Sequence, residues 1–138
     1  MPVKLSDIEA AYAAGIVDGE GSIQFSRNRR PRWPSPIVSV ASTDRELLEW
    51  LRARVGGTII QKRTYQSHHS RSYDWKLTDR RALRFLEIVR PFLVIRRKTA
   101  RCDLLLSEYE ACTPRNGRYT EEMAARKREL IERFASLP

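Results

Sequence analysis

Cysteine and histidine are scarce in this 138-residue chain, with two of each. Cys102 and Cys112 stand ten residues apart on what reads as one helix, a separation of about 15 Å at 1.5 Å per residue. No disulfide spans that distance within a helix. Without histidines nearby the pair makes no zinc signature, so buried thiols in a reducing compartment are the expectation. His68 and His69 are adjacent in an expected hairpin tip and lack metal-ligand spacing. No apolar run approaches the ~20 residues of a membrane span, and the chain does not open on an apolar signal-type stretch. An intracellular protein without membrane contact is expected. Its Arg and Ala bias suits a GC-rich bacterial or phage genome, with an organelle as the alternative.

Lysine is also sparse, five residues against 21 arginines, in a chain of net charge +9. The charge is uneven. Residues 1–21 hold one basic and four acidic side chains, residues 101–138 hold seven of each, and residues 22–100 hold 18 basic against 6 acidic. A basic middle rich in arginine suits bidentate contacts to phosphates and guanine edges; on composition alone a solvated basic face explains it equally well. The length suits one domain over residues 1–138, with a core at about 6–111 and a helical extension at about 113–138.

Ser6 with Glu9 three residues on has capping-box spacing and opens a helix to about Asp18. On it Ala11, Ala14, Gly15, Asp18 and Gly19 share an arc about 140° wide, with nothing bulky to keep a second helix away. Ile8, Tyr12 and Ile16 occupy the adjoining arc and are expected to meet the chain's own core. From Ser22 the period becomes two. Ile23 and Phe25 point inward, and a proline-punctuated basic turn over 29–36 leads to a returning strand at 37–42. A helix over 44–55 stops at Gly56-Gly57. A second hairpin over 58–65 and 71–77 follows, with Tyr73, Trp75 and Leu77 inward. Helices at about 79–89 and 94–111 come next, and Thr120 caps a last one carrying Met123, Leu130, Ile131 and Phe134. The class is α+β: an αββαββα-type core, a curved four-stranded antiparallel sheet with helices on one face, and C-terminal helices.

The open sheet face is expected to carry Gln24, Ser26, Asn28, Arg30, Ser39, Gln61, Arg63, Tyr65 and Lys76, with Arg32 and Trp33 added by the turn. These side-chain types read base edges in a major groove that admits a two-stranded β-ribbon. A merely solvated face would alternate acids with bases, whereas Asp74 is the one acid here.

The stretch Ala13-Ala14-Gly15-Ile16-Val17-Asp18-Gly19-Glu20-Gly21 places two carboxylates at a helix C-terminus, where the dipole disfavours negative charge. Glu20 therefore calls for a cation, and Gly19 and Gly21 are expected to leave the helix with positive φ. A helix packed through small residues and closed by a glycine cap is the plainer reading. The stretch resembles the motif of LAGLIDADG homing endonucleases, with Ala13 in place of the family's leading Leu and Glu20 in place of its second Asp. The similarity runs from Tyr12 to about Glu108 and includes Arg90-Pro91-Phe92-Leu93 before a basic cluster.

This resemblance implies sequence-specific double-strand cleavage of long, near-palindromic DNA, as in intron or intein homing. It further implies Mg²⁺, with Ca²⁺ or Mn²⁺ as substitutes, held by Glu20 and the Gly19 carbonyl. Arg96 matches the family's basic residue after the Pro-Phe segment, with Lys98 close behind, and a water-positioning glutamine of the family aligns near Ser42. One motif per chain implies a homodimer about Ala11, Ala14, Gly15 and Asp18. An intron-RNA maturase and a catalytically idle DNA-binding regulator are the alternatives.

Overall fold

The computed structural model describes residues 4–27, 29, 31–62 and 71–138. Helix α1 spans Asp7–Glu20 and opens on the expected capping box: the Glu9 amide donates to the Ser6 hydroxyl and the Ser6 amide to the Glu9 carboxylate. Two orphan amides are satisfied reciprocally. The helix runs two residues past the expected end, through Gly19 and Glu20. Its C-cap, Gly21, is extended at φ −94°. Positive φ occurs at Gly56, Gly57 and Gly117 but at neither Gly19 nor Gly21, which corrects the expectation. What position 21 requires is a close approach, since a Cβ there would stand 2.8 Å from the Val17 Cα.

The first hairpin pairs β1 (Gly21–Phe25) with β2 (Pro36–Ser42), and α2 (Arg45–Val55) returns the chain to a second hairpin of β3 (Thr58–Gln61) and β4 (Tyr73–Thr78). The sheet order is β1-β2-β4-β3, antiparallel throughout. Alternation sets the two faces. Ile23, Val38, Val40, Trp75 and Leu77 are buried beneath the sheet, where α1, α2, α3 (Asp79–Val89) and α4 (Arg96–Glu108) pack. The expected α+β class and element order are observed. A 3₁₀ turn over Arg90–Phe92 separates α3 from α4, and the expected helix through Ala111 ends at Glu108, followed by a second 3₁₀ turn over Glu110–Cys112.

Helix α5 (Glu121–Ala135) is capped by Thr120, whose hydroxyl accepts the Met123 amide at 3.1 Å. Its Leu130 and Phe134 join a core that includes Ala13, Val17, Leu51, Phe85 and Leu105. Cys102 and Cys112 are both buried free thiols, and burial pushes Cys102 up to about 12. No described helix is long and apolar enough to cross a membrane.

One expectation fails on α1. Ile16 is buried, but Ile8 is 84% exposed and Tyr12 54% exposed, with Tyr12 set edge-on against Trp50 at 4.9 Å. The buried side is instead Ala10, Ala13, Ala14, Ile16 and Val17. Small alanines let α1 lie close to β1 and β2, and that close approach turns the bulkier residues outward.

Candidate active site and nucleic-acid interface

The C-terminus of α1 is held by one side chain. Lys98, on the first turn of α4, is only 7% exposed, and its ammonium donates to the carbonyl oxygens of Gly21 at 2.6 Å, Val17 at 2.7 Å and Asp18 at 3.2 Å. A cation there complements the negative end of the helix dipole and adds a donor to the carbonyls at the helix end, of which that of Val17 already accepts the Gly21 amide. Burial lowers the Lys98 pKa, Arg97 adds to that, and Asp18 and Glu20 oppose it. The ammonium serves the carbonyls of the helix end and makes no bond to the Glu20 carboxylate.

Asp18 acts in the opposite direction. Its two carboxylate oxygens accept the backbone amides of Val94 at 2.9 Å and Ile95 at 3.2 Å, the residues leading into α4. Lys98 and Asp18 therefore bind the end of α1 to the start of α4 reciprocally, each satisfying the other helix's orphan groups.

Glu20 lies between these clamps as the last residue of α1, exposed. Among the described residues its carboxylate has neither an ion pair nor a hydrogen bond. Gly19 beside it is exposed, with open space where a side chain would be. Among the described residues no cluster of three or more His, Cys, Asp or Glu occurs, so one chain offers a hard divalent ion a single carboxylate and carbonyl oxygens. Arg96 opens α4 and is exposed, as is Arg97. Ser42, at the end of β2, has its hydroxyl committed to the Asp44 amide at 2.9 Å, in the turn into α2.

On the open sheet face, register places Ser22 opposite Ser39 and Ser39 opposite Lys76. The Ser22 and Ser39 hydroxyls are 2.8 Å apart and bonded to each other. Gln24 and Lys76 are exposed. The Ser26 hydroxyl accepts the Ser35 amide at 2.9 Å and tightens the hairpin neck. Arg32 bridges Arg29 at the tip and is exposed, whereas Trp33 is half-buried and packs on Tyr119.

Gln61 requires a correction. It pairs with Tyr73, on the same side as Trp75, and so belongs to the helix-side face, exposed only because β3 ends there. The open-face positions of β3 are Thr58 and Ile60, with Lys62 beyond it reaching Asp74 at 3.4 Å. None of these three was expected. Two adjacent isoleucines, Ile59 and Ile60, fit either parity, and only pairing with β4 decides. Asn28, Arg30, Arg63 and Tyr65 lie outside the described residues.

Of the expected contact residues on α1, Ala11 and Gly15 are exposed while Ala14 is buried. Gly15 has nothing within 4 Å of a built Cβ. With Ile8, Tyr12 and the exposed Val94 and Ile95, these positions give the chain apolar surface around a small-residue centre. Hydropathy could not separate these from core residues, because exposed apolar side chains have the same composition as buried ones.

The LAGLIDADG-like domain family matches residues 7–90. Among solved structures, the homing endonuclease I-CvuI in complex with its target in the presence of Ca superposes with a TM-score of 0.75 at 20% identity, over 96% of this chain and 83% of that one. The homing endonuclease I-TnaI gives 0.62 at 20% identity, over 94% and 95%. The LAGLIDADG homing endonuclease I-GzeII in complex with a DNA target gives 0.68 at 17% identity, over 94% of this chain but 44% of that one. No curated protein sequence matches the chain.

Proposed function

The chain belongs to the LAGLIDADG-like domain family, and from that premise we propose that it is a divalent-metal-dependent, sequence-specific DNA endonuclease acting as a homodimer on a long, near-palindromic site. The observation that carries the proposal is the exposed, unpartnered Glu20, locked at a fixed helix end by Lys98 and Asp18. A carboxylate carried on a firmly held backbone, with no partner among the described residues, is suited to a ligand from outside the chain.

One carboxylate per chain makes half a site. Two α1 helices packed through Ala11, Gly15 and Gly19, with Ile8 and Tyr12 at their flanks, would bring two Glu20 carboxylates together about a twofold axis. The match of this chain to about half of I-GzeII supports the same arithmetic, two such units per DNA site. Twofold symmetry in the protein then calls for near-palindromic DNA.

Glu20 and the Gly19 carbonyl fit a hard cation such as Mg²⁺, with Ca²⁺ or Mn²⁺ as substitutes. Bound there, it would supply Lewis acidity toward a phosphate oxygen and lower the pKa of water. Glu20 contributes the charge that fixes its position. Lys98 keeps the α1 end from fraying and is a positioning residue, all three of its N–H bonds being occupied. Arg96 remains free to meet the scissile phosphate and stabilise the charge that builds up there. Gln24, Ser39, Thr58, Ile60, Lys62 and Lys76 face the major groove, and Arg32 meets the backbone beyond the sheet.

The test is capture of DNA from a randomised duplex library in Ca²⁺, followed by a change to Mg²⁺, for the parent and Glu20→Gln. Cleavage of one near-palindromic class by the parent alone supports the proposal. Specific capture without cleavage by either points to a DNA-binding regulator, and capture of intron RNA in preference to duplex points to a maturase.

A further inference from the structure

The end of the sheet away from Glu20 carries a second concavity. There the turn after β1 meets the loop before α5, and the rings of Trp33 and Tyr119 lie 5.0 Å apart with a 31° tilt. Beside them opens a cavity of about 410 Å³ whose walls include Arg32, Trp33, Ser35, Asp79, Tyr109 and Tyr119. Its size is that of a small-ligand pocket.

The walls are built. Lys127, fully buried, sets its ammonium over the Tyr109 ring at 4.0 Å and 5.5 Å from the centre of the Tyr119 ring. It also bonds the Thr113 hydroxyl, which donates to the Tyr109 carbonyl at 2.7 Å. Burial pushes the Tyr109 phenol up to about 12 and raises that of Tyr119, so both stay protonated. Asp79, at the first residue of α3, is held at φ 59°, a conformation L residues adopt at a cost and one that clusters at ligand sites.

The chemistry of the walls narrows the occupant. A bare anion would meet the Asp79 carboxylate, and an aliphatic chain would leave Asp79 and Arg32 without partners. A planar ring with an exocyclic amine stacks on the aromatic faces and donates to Asp79, while a phosphate attached to it pairs with Arg32. We propose that the cavity formed by Trp33, Tyr109, Tyr119, Asp79 and Arg32 is a binding site for an unstacked, amine-bearing nucleobase with its phosphate on Arg32. The pocket stands on its own geometry; the nucleic-acid source of the base rests on the proposed DNA binding.

The test follows the three tryptophan indole N–H signals of the ¹⁵N-labelled full chain by NMR. Trp75 serves as the fold reporter, because its buried indole donates to the Gly56 carbonyl at 2.8 Å. Adenosine monophosphate should move the Trp33 signal saturably at millimolar concentration and leave Trp75 in place; uridine monophosphate should bind more weakly. Tyr119→Ala should weaken the response about tenfold or more, and Asp79→Gly, which suits the positive φ and removes the acceptor, should erase the preference for the amine-bearing base. The second variant decides if the first disturbs Trp75.

An equal response to ribose 5-phosphate, or no movement of Trp33, would overturn the proposal. A duplex with an unpaired terminal adenine is then compared with a blunt one. Movement of Trp33 by the former alone identifies a nucleic-acid end as the source, and movement by neither identifies a free nucleotide. A chain that cleaves DNA but ignores adenosine monophosphate loses this pocket alone, whereas one that binds the nucleotide but never cleaves loses the endonuclease reading alone.

Discussion

Replacing Lys98 by methionine keeps an unbranched side chain of similar length and removes the ammonium from its cradle. Three hydrogen bonds are lost, at 2.6, 2.7 and 3.2 Å. Bonds to a charged group contribute up to about 1.5–3 kcal/mol each, and less where the charge is itself desolvated. One offset is the desolvation of Lys98, the largest cause of its lowered pKa. Another is that the Val17 carbonyl keeps the Gly21 amide as a partner. A net of about 1 kcal/mol per bond gives a loss of about 3 kcal/mol, or a fall in Tm of about 10 °C for a chain of this size. Calorimetry on parent, Lys98→Met and Glu20→Gln reads it, at one protein concentration because the proposed dimer would make Tm concentration-dependent. Glu20→Gln should hold or raise Tm, since it removes an exposed acid from a helix C-terminus. A Tm for Lys98→Met within about 2 °C of the parent would refute the cradle as the fastening of α1.

Burial lowers the Lys127 pKa from 10.5 to about 8. Between those values the unfolded chain holds a proton that the folded chain has lost, so this group's contribution to stability rises with pH. Urea unfolding at about pH 7 and about pH 9.5 should show the parent gaining about 2 kcal/mol relative to Lys127→Met; Cys102, raised to about 12 from 9.0, acts in the opposite sense but is common to both proteins. Gly21→Ala drives a Cβ into the Val17 Cα at 2.8 Å and its carbonyl oxygen at 3.0 Å, and should cost about 1–3 kcal/mol in chemical denaturation. Gly15→Leu meets nothing within 4 Å in its own chain. Sedimentation should show it folded but monomeric, and a retained dimer would place the interface elsewhere. Arg96→Ala should bind target DNA as the parent does and cleave it about 100-fold more slowly, as read by single-turnover gel assay.

Local signals carried much of the fold. The Ser6 and Glu9 spacing, the period-two alternation around Ile23, Val38 and Trp75, and the Gly56-Gly57 stop each act within a few residues, and all were legible. What failed depended on distant partners. Ile8 and Tyr12 read as core because alanines and large apolar residues both suit burial, and only the seat of α1 against the sheet chose between them. Lys98 was read as a neighbour of Arg96 in a basic cluster, yet one turns inward and the other outward, a division set by the end of α1 some 80 residues earlier. Lys127, in the last helix, is not singled out by the sequence reading. Its spacing from Met123, Leu130 and Phe134 puts it on the apolar stripe, a signal present but overridden by residue type. The Trp33 and Tyr119 stack joins two loops with no periodicity to read.

The two hydroxyls of Ser22 and Ser39, and the Lys62 and Asp74 pair, have a consequence for how such a surface can change. Gln24, Thr58, Ile60 and Lys76 make no side-chain hydrogen bond or ion pair among the described residues, so on the proposed DNA-binding reading substitutions there can arise one at a time with little loss of stability. The coupled positions are different. Altering Ser39 alone strands Ser22, and altering Lys62 alone leaves Asp74 without its ion-pair partner, a repulsion toward the phosphates of the proposed DNA ligand. If the sheet reads DNA as proposed, a library that varies these positions in couples will find functional variants that a position-by-position search discards, and the order in which substitutions arise becomes part of what such a surface can recognise.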